Sequence, residues 1–166
     1  MAILEIISGR KYTTPLFLPV FQNGNQFISI PELIKYGVNG LITNSFFLYK
    51  NRDTRNIVEE KGVKNFFGFN ELVVTDSGAF QQFSGSVYLK NSKIIKFQED
   101  IGADVISPLD VITMPGDNKN TAQKKWLTTL KRIKEGLEIT KKSTLIGVQQ
   151  GGRFLDLRKE SLLDLL

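Results

Sequence analysis

Apolar residues fall along this chain in two alternating patterns: short continuous runs, and longer stretches with helical spacing. Leu16 to Phe21, Gly40 to Thr43, Leu72 to Thr75, Val105-Ile106 and Leu145 to Val148 are the compact runs, and each predicts a buried strand. Between them the pattern changes to that of amphipathic helices. A turn at Asn23-Gly24-Asn25 follows the first strand, and Ser29 then caps a helix over Ile30 to Tyr36, with Pro31 in its first turn and Gly37 at its end. Asn91 opens a helix with Ile94, Phe97 and Ile101 on one side, closed by Gly102. A longer helix carries Ala122, Trp126, Leu130, Ile133 and Leu137 on one face, and Asp156 starts another.

Nearly all-apolar strands alternating with helices predict an α/β fold whose parallel sheet is covered on both faces. A doubly wound sheet and a (β/α) barrel both fit. A closed barrel takes ~250 residues and rarely fewer than ~200, whereas this chain has 166 residues. About five of a barrel's eight strands are present. An unfinished barrel leaves open strand edges, so the chain is expected to be incomplete or to need a partner.

The formal net charge of +5 and pI near 9.4 favour an anionic partner such as nucleic acid, set against a merely solvated basic surface. No apolar run approaches the ~20 residues that span a bilayer. Met1 to Ile7 meets Gly9-Arg10-Lys11 without a basic leader, so a cytoplasmic protein is expected. With no cysteine there is no disulfide and no thiolate metal site within these residues. With no histidine, Ser-His-Asp and Cys-His chemistry is excluded here, and acid–base work falls to Asp, Glu, Lys, Tyr or Ser.

Three of the strands run into a polar residue at their carboxyl ends: Asp76, Asp110 and Gln150. Asp110 follows Asp76 by 34 residues and Gln150 follows Asp110 by 40, close to the ~30 residues of a βα unit. Ligands in parallel α/β folds bind at the carboxyl ends of strands. Two carboxylates and an amide are therefore expected on one rim of one pocket. Gly78, directly after Asp76-Ser77, permits a tight turn that aims backbone N–H groups at a ligand, and Phe80 offers a flat face for a planar ring. Gln150 carries both a donor and an acceptor, which suits the edge of a purine-like base, and Gln149 should point to the opposite side. Read individually, these are also an Asx turn with a core phenylalanine, a cap, and a strand-to-helix turn.

Together they resemble the tRNA-guanine transglycosylases, continuously from Pro19 to Glu160. Phe17-Leu18-Pro19-Val20 resembles the family's first strand, and Leu41 to Tyr49 its second strand and the loop after it. Thr75-Asp76-Ser77-Gly78-Ala79-Phe80-Gln81 resembles the Asp-Ser-Gly signature. Phe97 to Asp104, Leu109-Asp110 and Gln150-Gly151-Gly152 follow in the family's order, with Asp156 to Ser161 completing the set. Ser84 to Asn91, and Leu109-Asp110-Val111 with Pro115 and Asp117, resemble the archaeal, archaeosine-forming branch. Bacterial and eukaryotic members usually place Phe before that Asp and a Glu-Cys pair after it, where this chain has Leu109, Val111 and Ile112. Ala79 stands where the family often has Gly or Ser.

The resemblance implies a (β/α)8 barrel of the TIM type, with residues 1–166 forming its N-terminal part as a fragment or one half of a split enzyme. It implies exchange of a guanine in the D-loop of tRNA for a free deazaguanine base, the cyano-deazaguanine precursor of archaeosine, through a covalent ribosyl–enzyme. Asp76 would be the general acid/base. Asp110 and Gln150 would read the base, with Ser77 assisting, Phe80 stacking and Gly151 leaving room. The family's nucleophilic aspartate and structural zinc site are expected on a later segment, with no cofactor in this chain. The partners implied are tRNA, the free base, and a second copy or a complementary C-terminal segment, with no membrane. Two rivals stand beside this reading: a non-catalytic paralogue or accessory subunit that binds base or RNA, and an unrelated barrel enzyme acting on a phosphorylated metabolite. No Gly-rich phosphate loop favours the latter.

Overall fold

The computed structural model describes residues 2–22, 24, 27–84 and 88–166. Asn23 and Asn25 of the expected turn, and Gly85 to Val87 of the connection after the signature, lie outside the described residues. The elements are β1 (Ala2–Glu5), β2 (Lys11–Thr14), α1 (Ile30–Lys35), β3 (Gly40–Asn44), α2 (Ser45–Lys50), α3 (Arg52–Lys61), α4 (Val63–Phe67), β4 (Leu72–Asp76), α5 (Ala79–Ser84), α6 (Asn91–Asp100), β5 (Val105–Ile106), α7 (Lys119–Ile139), β6 (Thr144–Leu145) and α8 (Leu155–Leu163).

β3, β4, β5 and β6 form one parallel sheet in sequence order, each strand beside the next. Side chains alternate across its two faces, as the pleat requires. Leu41, Val73 and Ile106 pack into the main core with Val58, Ile94, Ile95 and Phe97 of the helices. Leu72, Val74 and Val105 face the other way, against Ile6 and Tyr12 of the β1–β2 hairpin segment and against Leu16 and Leu18. Tyr49 of α2 meets Phe97 of α6 edge to face, with centroids 5.1 Å apart, a geometry worth about 1 kcal/mol beyond its buried area. At the amino ends of the strands Asp104 accepts from Lys64 and from the Val73 N–H, both at 2.8 Å, which ties α4 to the start of β5.

The predicted helices over 30–36, 91–101 and from 156 form close to their expected bounds. At the first, the Glu32 carboxylate accepts from both the N–H and the hydroxyl of Ser29. Three expectations are corrected. Leu16 to Phe21 makes no full strand: only Val20 bridges to Ile42, with Phe21 N–H donating to Ile42 O and Ile42 N–H to Pro19 O. Pro15 and Pro19 have no N–H to extend that ladder. The run Leu145 to Val148 pairs only at Thr144–Leu145, with one further bond from Ile146 N–H to Ile106 O. Its partner β5 ends there, because Pro108 offers no donor and the Ser107 N–H turns to Gln98.

The third correction concerns α7. Its buried face is Ala122, Trp126, Thr129, Ile133 and Gly136, while Leu137 is exposed. Steps of three and four keep those five on one stripe, and Gly136 permits close approach: a Cβ there would lie 2.9 Å from Leu145 Cδ2. Helices α2 to α5 and the β1–β2 pair have no counterpart among the predicted elements. The segment expected as a loop after Thr43 is helix α2.

Candidate functional site

β4 delivers Asp76 to the carboxyl end of the sheet, in register with Asn44 of β3. Asn44 binds in two directions. Its Oδ1 accepts from the Phe46 N–H at 3.0 Å and caps α2, while its Nδ2 donates to Asp76 Oδ2 at 2.8 Å and to Gln81 Oε1 at 3.1 Å. Asp76 Oδ2 also accepts from the Gly78 N–H at 3.1 Å, and the Asp76 carbonyl accepts from Ser45 Oγ at 2.7 Å. Gly78 has φ +76°, and a Cβ there would sit 2.3 Å from the Phe46 Cβ, so this turn admits no larger residue. Burial pushes the Asp76 carboxyl above its ordinary range, against the N–H groups of Gly78 and Ser77, which act to lower it. Ser77 itself is buried, its N–H donating to Ser107 Oγ at 2.7 Å.

Asp110 and Gln150 lie against each other: Gln150 Nε2 donates to Asp110 Oδ2 at 2.8 Å. The other end of the amide is also held, since Thr113 Oγ1 donates to Gln150 Oε1 at 3.2 Å. Burial raises the Asp110 carboxyl, the Gln150 bond lowers it, the neighbouring Asp76 charge raises it and Arg132 lowers it. The two carboxylates therefore feel one another across the strand ends, and both are easier to protonate than a surface aspartate. Gln149 turns away to the Arg158 carbonyl, as alternation along an extended segment requires.

The structure does not put the three groups on one pocket. Asp110 lines a cavity of about 350 Å³ with Ala79, Leu109, Ile112 and Arg132. Gln150 lines a smaller one of about 240 Å³ with Thr113 and Arg158. Asp76 borders neither, because it is turned toward Asn44, which lines a third cavity of about 440 Å³ with Thr43, Lys50 and Thr54. The Gln150–Asp110 bond links the linings of the first two. Phe80, at the start of α5, is 62% exposed. At Gly151 the geometry supplies a reason other than space for a base. Its φ is +115°, and a Cβ would lie 2.7 Å from the backbone nitrogen of Arg158, so the glycine is required by the approach of α8.

Asn44, Gln81, Thr113, Asn91, Thr129 and Arg132 were not singled out from sequence, although all bear on the two carboxylates. Asn44 carried a readable signal, a polar residue ending a buried strand just as Asp76 does. Arg132 and Thr129 carried none, since their positions on a long amphipathic helix mark only a solvated or packing face. Neither cysteine nor histidine is present, and no cluster of three or more acidic side chains suited to a metal occurs among the described residues.

The parallel α/β sheet thus carries two part-buried carboxylates and a primary amide beyond its carboxyl edge, the side on which ligands bind in α/β folds of this class. The sequence profile of the queuine tRNA-ribosyltransferase family matches residues 1–166, and the chain belongs to that family. It is 40% identical over 161 residues to the tRNA-guanine(15) transglycosylase of Methanocaldococcus jannaschii, covering 93% of this chain and 25% of that protein. It is 36% identical over 154 residues to the tRNA-guanine(15) transglycosylase of Methanopyrus kandleri, covering 92% and 34%. It is 36% identical over 157 residues to that of Nanoarchaeum equitans, covering 94% and 37%. The chain thus spans between a quarter and two fifths of the length of these relatives. No helix among the described residues is long and apolar enough to cross a membrane.

Proposed function

We propose that this chain forms the base-reading part of a tRNA-guanine transglycosylase of the archaeosine-forming kind, on the N-terminal strands of a (β/α)8 barrel. The observation that carries the reading is the Asp110–Gln150 pair, a part-buried carboxylate bonded to an amide at 2.8 Å beyond neighbouring strands. Sequential parallel strand order supports the barrel, because a doubly wound sheet reverses its order at a switch point.

The chemistry is a double displacement at the anomeric carbon of one tRNA nucleotide. The target guanine leaves its stack, at a cost of a few kcal/mol. A carboxylate supplied by a later strand attacks the anomeric carbon, the bond to guanine breaks, and the leaving base takes up a proton. The incoming deazaguanine gives up its ring N–H proton, attacks the same carbon and releases the carboxylate. Asp76 moves those protons, a role suited to a carboxyl raised by burial. Asp110 accepts from the N–H donors of the purine edge and Gln150 offers a donor and an acceptor beside it, with Ser77 buttressing the turn and Phe80 stacking on the base. Gln150 must release part of its bond to Asp110 as the base enters, freeing both groups for the purine edge.

Calorimetry with guanine and cyano-deazaguanine, on this chain and on Asp110→Ala, tests the reading. A charge-assisted bond to a buried group contributes ~1.5–3 kcal/mol, so saturable binding weakened at least ~10-fold in the variant is expected. Equal affinity in the two folded proteins would refute it.

A further inference from the structure

We propose that Arg132, acting with Asn91 and Thr129, is a positioning residue for Asp110 and makes its cavity selective for a neutral purine edge rich in N–H donors. The inference rests on the base-exchange reading above, but its first test does not.

β5 ends at Ile106, so no strand ladder holds Asp110, which comes after Ser107-Pro108-Leu109. Its aim depends on whatever grips the chain beyond the strand. Three helix side chains do so. Leu109 N–H donates to Asn91 Oδ1 at 2.9 Å, Arg132 Nη1 donates to the Leu109 carbonyl at 2.8 Å, and Val111 N–H donates to Thr129 Oγ1 at 2.9 Å. The peptide groups on both sides of Asp110 are therefore fixed from outside the strand. Thr129 and Arg132 stand three residues apart on one face of α7. Asn91 is braced in turn, its Nδ2 donating to the Arg132 carbonyl at 2.9 Å and to Glu135 Oε2 at 2.6 Å. Asn91 and Thr129 are buried, as three-way ties must be if water is not to compete.

Arg132 also lines the cavity that holds Asp110. The groups facing that carboxylate are Asp76 at the end of β4, Gln150 beyond β6, Tyr88 before α6, and Lys125 with Arg132 from α7. Lys125 is paired with Asp117. Arg132 brings its guanidinium to this cavity and has no acid within ion-pair distance among the described residues. It opposes both the burial and the Asp76 repulsion that favour the protonated form. This matters for selectivity, because an ionised carboxylate only accepts, whereas a protonated one also donates and tolerates the wrong edge.

The test follows the carbon-13 signal of the Asp110 carboxyl through a pH titration, assigned by its loss in Asp110→Asn. Arg132→Lys keeps the charge, while Arg132→Gln keeps a donor for the Leu109 carbonyl and removes the charge. The expected result is an upward-shifted midpoint in the glutamine variant and a nearly unchanged one in the lysine variant, a pattern that a purely structural role would not produce. An unchanged midpoint in folded Arg132→Gln would overturn the proposal. Should that variant not fold, the Arg132 Nε signal of the unsubstituted chain serves: it should follow the Asp110 titration and stop doing so in Asp110→Asn, and a flat response would be equally fatal. Guanine calorimetry then separates the two ideas. Arg132→Gln should bind ~10-fold more weakly about one pH unit below its raised midpoint and recover as pH rises through it. If the charge coupling holds while no protein binds guanine, the base-exchange reading fails and the positioning role stands.

Discussion

Gln98 is fully buried on α6, yet both ends of its amide are used. Oε1 accepts from Thr75 Oγ1 at 2.8 Å and from the Ser107 N–H at 3.2 Å, and Nε2 donates to the Ser107 carbonyl at 2.8 Å and the Ile94 carbonyl at 3.2 Å. Through Ser107 Oγ, which takes the Ser77 N–H, this amide supports the turn carrying Asp76. Replacement by leucine keeps the volume and removes all four bonds. The Thr75 hydroxyl keeps a weaker acceptor in Val105 O at 3.4 Å, and Ile94 O retains its own helix partner. The Ser107 N–H and carbonyl are left without partners, at ~1–3 kcal/mol each. Burying apolar rather than amide surface returns ~1–2 kcal/mol. The expected net loss is about 2–3 kcal/mol, read in urea as an earlier midpoint with an unchanged slope. A loss below ~0.5 kcal/mol, the scatter of ordinary surface substitutions, would refute the claim that Gln98 is the tie between α6 and the strand ends. Gln98→Glu sharpens the test. A carboxyl buried there has its pKa raised, so the folded state holds the extra proton and stability falls as pH rises above the ordinary ~4.3 of glutamate. The glutamate variant should therefore approach the parent near pH 4 and fall below the leucine variant at pH 8.

Gly151→Ala should cost about 2–5 kcal/mol in the same unfolding experiment, from ~1–2 kcal/mol for a positive φ and a further ~1–3 kcal/mol for a methyl driven into backbone. A stability loss under ~1 kcal/mol would show that α8 yields easily. For pH, Asp76 and Asp110 both have raised carboxyls in the folded state, with burial the leading cause. Each therefore contributes stability that is fully present below the unfolded pKa and lost as pH rises through the folded one. Asp76→Asn and Asp110→Asn should leave stability near the parent's at pH 3.5 and exceed it increasingly toward pH 7. The comparison is made as a difference because Glu99, Asp117 and Asp156, whose carboxyls are lowered, drive the parent's own curve the opposite way. A variant-minus-parent difference that is flat with pH would sink the assignment of raised carboxyls.

Local pattern alone located three helices close to their bounds and placed Asp76 at the end of its strand, because burial on two faces writes continuous apolar runs and a polar residue ending one stands out. It set Asp110 and Gln150 at strand ends too, whereas β5 and β6 stop at Ile106 and Leu145, four and five residues before them. The same pattern overstated the flanking strands at Leu16 to Phe21 and Leu145 to Val148, since apolarity records burial and says nothing of whether a neighbour has N–H groups left to pair. It also put Leu137 on the packed face of α7, when the register against Leu145 selects Gly136 instead. Short helices α2, α4 and α5 escaped it because a turn or two of helix holds too few apolar repeats to register a period, and ten-residue α3 escaped it because it buries only Val58. What the tertiary structure alone decided is which groups meet. That Gln150 closes on Asp110, that Asp76 turns to Asn44, and that Arg132, Thr129 and Asn91 grip the chain around Asp110 all depend on contacts between residues 18 to 40 positions apart. Such pairings are set by how helices seat against the sheet, a property of packing that no stretch of sequence carries by itself.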